Sequence, residues 1–144
     1  MKLLLTFVFT VLSLSISAQN NPDELIGKWV NEDATARFEF FKTGNTYSAK
    51  IIWLANPKNE NGEQKLDKNN PDKKLRNRPI VGLVMLTGLQ FSANETMWIG
   101  GKIYGPEKGE TVACKIKLSN KNELALTASK SIFSFTKKWK RYDK

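Results

Sequence analysis

Residues 34–40 read Ala-Thr-Ala-Arg-Phe-Glu-Phe, an unbroken alternation of apolar and polar side chains. Successive side chains of a strand point to opposite faces of a sheet, so this period of two predicts a half-buried β-strand. The turn-forming sequence Thr-Gly-Asn follows at residues 43–45, and apolar residues alternate again over residues 47–53. The two stretches therefore predict a β-hairpin.

The remainder of the chain extends this pattern. A nearly continuous apolar run over residues 80–91 indicates one bent strand or two short ones. Further strands are predicted at residues 97–104, 111–118, 123–128 and 131–141. A short helix is expected near residues 22–26, and no stretch beyond residue 18 keeps a 3.6-residue apolar period. We therefore predict an all-β fold, an up-and-down barrel of roughly eight antiparallel strands.

The first 18 residues have the features of a cleavable secretory signal. Lys2 precedes an apolar run over residues 3–16, and Ser17-Ala18 supplies small residues for cleavage. The run is shorter than the roughly 20 residues needed to cross a bilayer, and no second run follows. We expect residues 1–18 to be a signal peptide and residues 19–144 to form one domain. The expected location is periplasmic or extracellular, with no transmembrane segment after cleavage.

The chain is strongly basic. Without Lys2, 22 basic residues face 14 acidic ones, which gives a formal charge of +8. This charge favours contact with an anionic envelope surface, such as lipid head groups or acidic wall polymers; the alternative is that it only keeps the domain soluble. Cys114 is the sole cysteine, which excludes an intrachain disulfide, and its place on an apolar strand face predicts a core role.

Composition excludes several chemistries. The chain contains no histidine, so Ser-His-Asp and Cys-His catalysis and histidine metal sites are ruled out. Two carboxylate pairs remain, Asp67 with Asp72 and Glu107 with Glu110, and both are expected to be solvated loop charges. Residues 67–72 lack the glycine and terminal glutamate of a calcium loop. We expect no catalytic residue, no metal and no cofactor.

The basic and aromatic ending, residues 137–142, is compatible in composition with nucleic-acid binding. Strand alternation, however, places Trp139 inside the barrel and leaves Lys138 and Lys140 in water. Together with the predicted export, this argues against a nucleic-acid partner.

Residues 55–77 form a long polar segment, predicted to be a loop that is either functional or disordered. Seven basic and four acidic residues lie between residues 56 and 78. Arg76 and Arg78 are the best candidates for an anion contact, because a guanidinium group binds carboxylate or phosphate through a rigid fork. The alternative is that both arginines anchor the loop to barrel carbonyls or to Asp72.

Two resemblances then bear on the fold. Gly27-x-Trp29 on the first strand, with Arg141 on the last, is similar to the lipocalin pattern. That resemblance implies that the arginine packs over the tryptophan and closes one end of the barrel. A cation–π contact and hydrogen bonds from the guanidinium group would stabilise such a closure.

The chain also resembles a family of small exported bacterial proteins, the domain of unknown function numbered 2147. The resemblance covers nearly all of residues 19–144 and rests on Gly27-Lys28-Trp29, residues 51–54, residues 69–79 with Gly82, residues 98–106, and Trp139-Lys140-Arg141. It implies a lipocalin-like barrel and brings no activity with it. The sequence departs from the family at Thr43 and Ser48, where many members carry a cysteine pair, and at Gly105, where an aspartate commonly precedes the proline.

These features support three hypotheses in descending order. The first is a barrel that binds a small apolar or amphipathic ligand. The second is a non-enzymatic envelope protein whose working surface is the basic loop, and the third is a carboxylate-based enzyme. For the first hypothesis the candidate cavity residues are Phe38, Phe40, Trp53, Phe133 and Phe135.

Overall fold

The computed structural model describes residues 21–143 and contains one closed antiparallel barrel. Its eight strands are β1 (Gly27–Val30), β2 (Ala36–Thr43), β3 (Thr46–Leu54), β4 (Val84–Ser92), β5 (Met97–Gly105), β6 (Glu110–Asn120), β7 (Glu123–Lys130) and β8 (Phe133–Arg141). Each strand pairs with the next, and β8 returns to β1. The predicted all-β, up-and-down barrel is confirmed. The predicted signal peptide, residues 1–18, lies outside the described residues.

The described residues contain little helix. A 3₁₀ helix over Pro22–Leu25 leads into β1, where a short helix was expected, and a second covers Lys73–Leu75. Within residues 21–143, no helix is both long and apolar enough to span a membrane.

The core follows the alternation of the strands. The inward residues of β2, for example Phe38 and Phe40, are buried, as are Cys114 and Ile116 of β6 and Leu126 of β7. Burial raises the pKa of the Cys114 thiol to about 12, so this side chain stays protonated at neutral pH.

A β-bulge interrupts the alternation in β3. Arg37 pairs with Trp53 whereas Phe38 pairs with Ile51, so Ile52 is an extra residue on its strand. One extra residue reverses the facing of every side chain that follows it. Trp53 consequently lies on the outer face, 36% exposed, with the guanidinium carbon of Arg37 4.3 Å from its ring centroid.

The segment between β3 and β4 is folded. Isolated β-bridges join Lys58 to Gln64 and Leu66 to Pro79. The apolar run predicted as a strand from Ile80 begins to pair only at Val84, because the chain first turns through Gly82, whose φ is +94°. Glycine adopts this backbone region without the steric cost of a Cβ atom.

The barrel closes through a short seam. Only two residue pairs join β1 to β8, Trp29 with Arg141 and Val30 with Lys140. The rest of β8 has no strand partner on that side within residues 21–143. The seam therefore depends on side chains for much of its stability.

Candidate functional site

One end of the barrel is open and leads into a cavity of about 810 Å³. The connections that follow β1, β3, β5 and β7 surround this mouth. The wall is largely apolar and is built by alternate residues of several strands. These residues are Ala36, Phe38, Ile51, Leu54, Ile80, Met85, Ile103, Val112, Leu126, Ala128 and Phe135.

Aromatic packing forms the floor of the cavity. The ring of Phe38 stacks on that of Trp139, with 4.1 Å between centroids and 10° between planes. Phe40 lies one inward position further along β2, and its ring centroid is 6.2 Å from that of Trp139, with 59° between the ring planes. The barrel is therefore filled with side chains below Phe38 and open above it.

The five predicted cavity residues separate into three groups. Phe38 and Phe135 line the cavity. Phe40 is buried in the floor beneath it. Trp53 and Phe133 do not line the cavity, which corrects the expectation for both: the bulge at Ile52 turns Trp53 to the outer face, and Phe133 is 76% exposed because it lies at the β7–β8 turn, above the wall.

Charged side chains ring the mouth. Lys65, Lys108, Lys130, Glu107 and Glu110 all contribute to the cavity lining. Lys130 donates to Glu110 over 2.9 Å, and this contact holds the pKa of the Glu110 carboxyl below its usual range. The remaining rim lysines, Lys65 and Lys108, have no ion-pair partner among the described residues. An amphipathic molecule would thus meet apolar walls inside and charged groups at the opening.

A buried carboxylate fixes the loop beside this mouth. Asp67 is 0% exposed and accepts hydrogen bonds from Tyr104 (2.6 Å), Asn70 (2.8 Å) and Arg78 (2.9 Å). Burial alone would raise the pKa of Asp67, but these donors outweigh burial and hold it below its usual range. Burial and the same carboxylate raise the pKa of Tyr104 to about 12. The expectation that Asp67 is a solvated loop charge is therefore wrong, because its partners desolvate and pair it.

The two candidate arginines both engage the loop itself. Arg78 pairs with Asp67, and the Nε of Arg76 donates to the Asn70 carbonyl over 2.7 Å. Asp72, the carboxylate considered as an anchor, instead accepts from the backbone N–H of Lys74 and caps the second 3₁₀ helix. A contact of Arg76 or Arg78 with an external anion stays a prediction.

The loop also packs on the β5–β6 turn. Asn69 donates to the Glu107 carbonyl over 2.6 Å. A Cβ atom at Gly109 would overlap the carbonyl group of Asn69, and the φ of Gly109 is +65°. Glycine is thus required there both by its backbone conformation and by the closeness of the loop.

The opposite end of the barrel is closed by Arg141. Its guanidinium carbon lies 4.2 Å from the ring centroid of Trp29. Its nitrogens donate to the carbonyls of Glu24 (2.6 Å), Ile26 (3.1 Å) and Lys121 (2.7 Å). A Cβ atom at Gly27 would come within 3.0 Å of this guanidinium group, which accounts for the glycine two residues before the tryptophan.

An eight-stranded antiparallel barrel, open at one end and closed at the other by an arginine over a tryptophan, is a lipocalin-like barrel. The chain belongs to DUF2147, a family described as uncharacterized proteins conserved in bacteria, whose model matches residues 27–141. Both resemblances noted in the sequence are confirmed.

Among solved structures, the chain is similar to protein HP1028 from the human pathogen Helicobacter pylori, which is described as belonging to the lipocalin family. The identity is 28%, the match covers 83% of each chain, and the TM-score is 0.71. No curated protein matches this chain.

Proposed function

We propose that this protein binds a small apolar or amphipathic ligand inside its barrel. The observation that supports this most directly is the cavity of about 810 Å³ with its largely apolar wall. Ligand sites in proteins are typically concave, apolar and of about 300–1,000 Å³, with a few polar groups at fixed positions. The lipocalin-like fold agrees with such a role.

The rim indicates how an amphipathic ligand would lie. Its apolar part would pack on Met85, Leu126 and Phe38, and its polar end would reach the mouth. An anionic end is favoured there, since two rim lysines without an ion-pair partner in residues 21–143, Lys65 and Lys108, face one such glutamate, Glu107. The ammonium groups of these two lysines supply donors and charge for such a group.

The role we propose is non-enzymatic. The most buried carboxylate near the mouth, Asp67, is ion-paired and has a lowered pKa, so it is a poor proton donor at neutral pH. Glu110 is held in its charged form by Lys130. The absence of histidine from the sequence removes the commonest general base.

We also propose that the protein acts outside the cytoplasm. The support is the composition of residues 1–18, a basic residue followed by an apolar run and small residues. Edman sequencing of protein recovered from an extracytoplasmic fraction should begin at or near Gln19. Protein in that fraction that still carries Met1 would contradict cleavage.

Native mass spectrometry of gently purified protein tests the proposed binding. We expect a species heavier than the chain by the mass of one small molecule, and loss of that species after extraction with organic solvent. A single unliganded mass, unchanged after incubation with dodecanoate and with dodecanol, would contradict a binding role. Preference for dodecanoate over dodecanol would support the proposed part of Lys65 and Lys108.

A further inference from the structure

The turn between β7 and β8 carries apolar side chains that nothing covers within the described chain. Ile132 is 88% exposed and its neighbour Phe133 is 76% exposed. Two-residue hairpin turns favour glycine, asparagine, aspartate and serine, and Ser131, with a φ of +56°, fits that preference. Ile132 does not, because an isoleucine in water adds apolar exposure without any packing in return. Folding therefore does not explain the composition of this turn.

The turn stands at the mouth of the cavity. Lys130, immediately before it, and Phe135, shortly after it, both line the cavity, and Phe135 is itself 59% exposed. Exposed apolar surface thus runs from Ile132 down into the opening. Three lysines, Lys65, Lys108 and Lys130, and two glutamates, Glu107 and Glu110, lie around the same mouth. Lys130 pairs with Glu110, so the lysines outnumber the glutamates by one on this rim.

We propose that Ile132 and Phe133 form an insertion tip that docks the open end of the barrel on an anionic lipid bilayer. Apolar side chains flanked by lysines suit a bilayer, where the rings and methyl groups enter the acyl boundary and the ammonium groups stay among the phosphates. The formal charge of +8 that remains after the proposed cleavage adds long-range attraction to such a surface. The docked orientation turns the cavity mouth toward the lipid.

A lipid surface fits the tip better than a second protein does. Stable protein interfaces bury about 1,200–2,000 Å², far more than two side chains at a convex turn supply. Binding at a membrane interface strengthens with the apolar area buried and with attraction between basic groups and anionic lipids, and it needs no minimum contact area of this size. This inference goes beyond ligand binding, and it is tested on ligand-free protein, so its failure is distinguishable from that of the proposed function.

The first test compares vesicle binding by variants of the tip. Wild-type protein should cosediment with vesicles that contain phosphatidylglycerol and phosphatidylcholine, and a smaller fraction should cosediment with vesicles of phosphatidylcholine alone. High salt should reduce the fraction bound to the anionic vesicles. Ile132→Ser with Phe133→Ser should weaken binding to the anionic vesicles by at least about tenfold, since both apolar contacts are lost. Ile26→Ser, which removes a 38% exposed isoleucine at the closed end, is the matched control and should bind like wild type. Equal binding by all three proteins would overturn the proposal.

The second test locates the contact. Cys114 is buried with a raised pKa, so a thiol placed elsewhere can be labelled selectively. An environment-sensitive dye on Ile132→Cys should shift to shorter wavelength with anionic vesicles, and the same dye on Ile26→Cys should not. A shift at residue 26 alone, or at neither residue, would contradict docking through the tip. Concentration-dependent dimers without lipid, abolished by the double serine variant, would assign the tip to a second copy of the chain and overturn the proposal.

Discussion

Arg141 joins three separate segments at the closed end, because its donors reach carbonyls of Glu24, Ile26 and Lys121 while its plane covers Trp29. The β1–β8 seam is only two pairs long, so these contacts carry much of the closure. Arg141→Ala should lower the free energy of unfolding by about 1–3 kcal/mol, from the lost cation–π contact and the unpaired carbonyls. Urea denaturation measures the change.

Lys140→Ala, at the exposed position next to it, is the control and should alter stability by less than about 0.5 kcal/mol. Equal stability of Arg141→Ala and wild type would show that the closure depends on the strands alone.

Asp67 gives stability a specific dependence on pH. Asp67→Asn should lower the free energy of unfolding by about 1–3 kcal/mol near neutral pH, since hydrogen bonds to a charged group are lost. The part of this loss that comes from Arg78 is reduced by solvent screening, because that side chain is 36% exposed. The folded pKa of Asp67 is depressed, so its stabilisation is present above the unfolded pKa and is lost as the pH falls through the folded pKa. The gap between wild type and variant should therefore close in acid.

Denaturant titrations near neutral pH and in acid measure that gap. Glu60→Gln, an exposed carboxylate of the same loop, serves as the control and should follow wild type throughout. A gap that stays constant, or widens, on acidification would contradict the assigned charge state of Asp67.

At the scale of strands and loops, alternation in the sequence predicted β2 and β6 closely, because one face of each is buried and the other solvated. The same rule failed at β3, because residues 51–54 are all apolar and their sequence does not show where the bulge shifts the inward and outward positions. The sequence also left open whether the loop is ordered, since Asp67 and Tyr104 are 37 residues apart and no local pattern links them. Both points depend on contacts that are not local in sequence.

The loop should detach when its packing on the β5–β6 turn is broken. Gly109→Ala forces a Cβ atom into the Asn69 carbonyl and should release the basic loop. Trypsin should then cleave the loop of the variant at a lower trypsin concentration than the wild-type loop requires. Limited proteolysis followed by mass spectrometry identifies the cleaved bonds between residues 56 and 78.

Gly44→Ala is a matched control, because Gly44 has a similar φ of +58° but a Cβ atom added there would meet no atom within 4 Å. Both variants place an alanine at a similar positive φ, and only Gly109→Ala should expose the loop. Equal protection of the loop in both would show that the Asn69 contact does not hold it.

For the whole molecule, the sequence predicted the barrel and its closure but did not decide whether the barrel contains a cavity. Barrels of about eight strands either fill with side chains or hold one small ligand. This barrel keeps a cavity because residues of modest size, such as Ala36 and Ala128, lie in its wall. The candidate cavity residues chosen from the sequence were all aromatic. Of those, Phe40 fills the floor and Trp53 lies outside.

The central claim, that the barrel interior is the binding site, is tested most directly by filling it. Ala128 lines the cavity, whereas Ala125, three residues earlier on β7, faces outward. The measurement is the dissociation constant of the fluorescent amphipath 1-anilinonaphthalene-8-sulfonate for wild type, Ala128→Phe and Ala125→Phe, each shown to be folded by circular dichroism. We expect at least about tenfold weaker binding for Ala128→Phe only, because the added ring occupies the space of the ligand. Unchanged binding in a folded Ala128→Phe would place the ligand elsewhere and contradict the account.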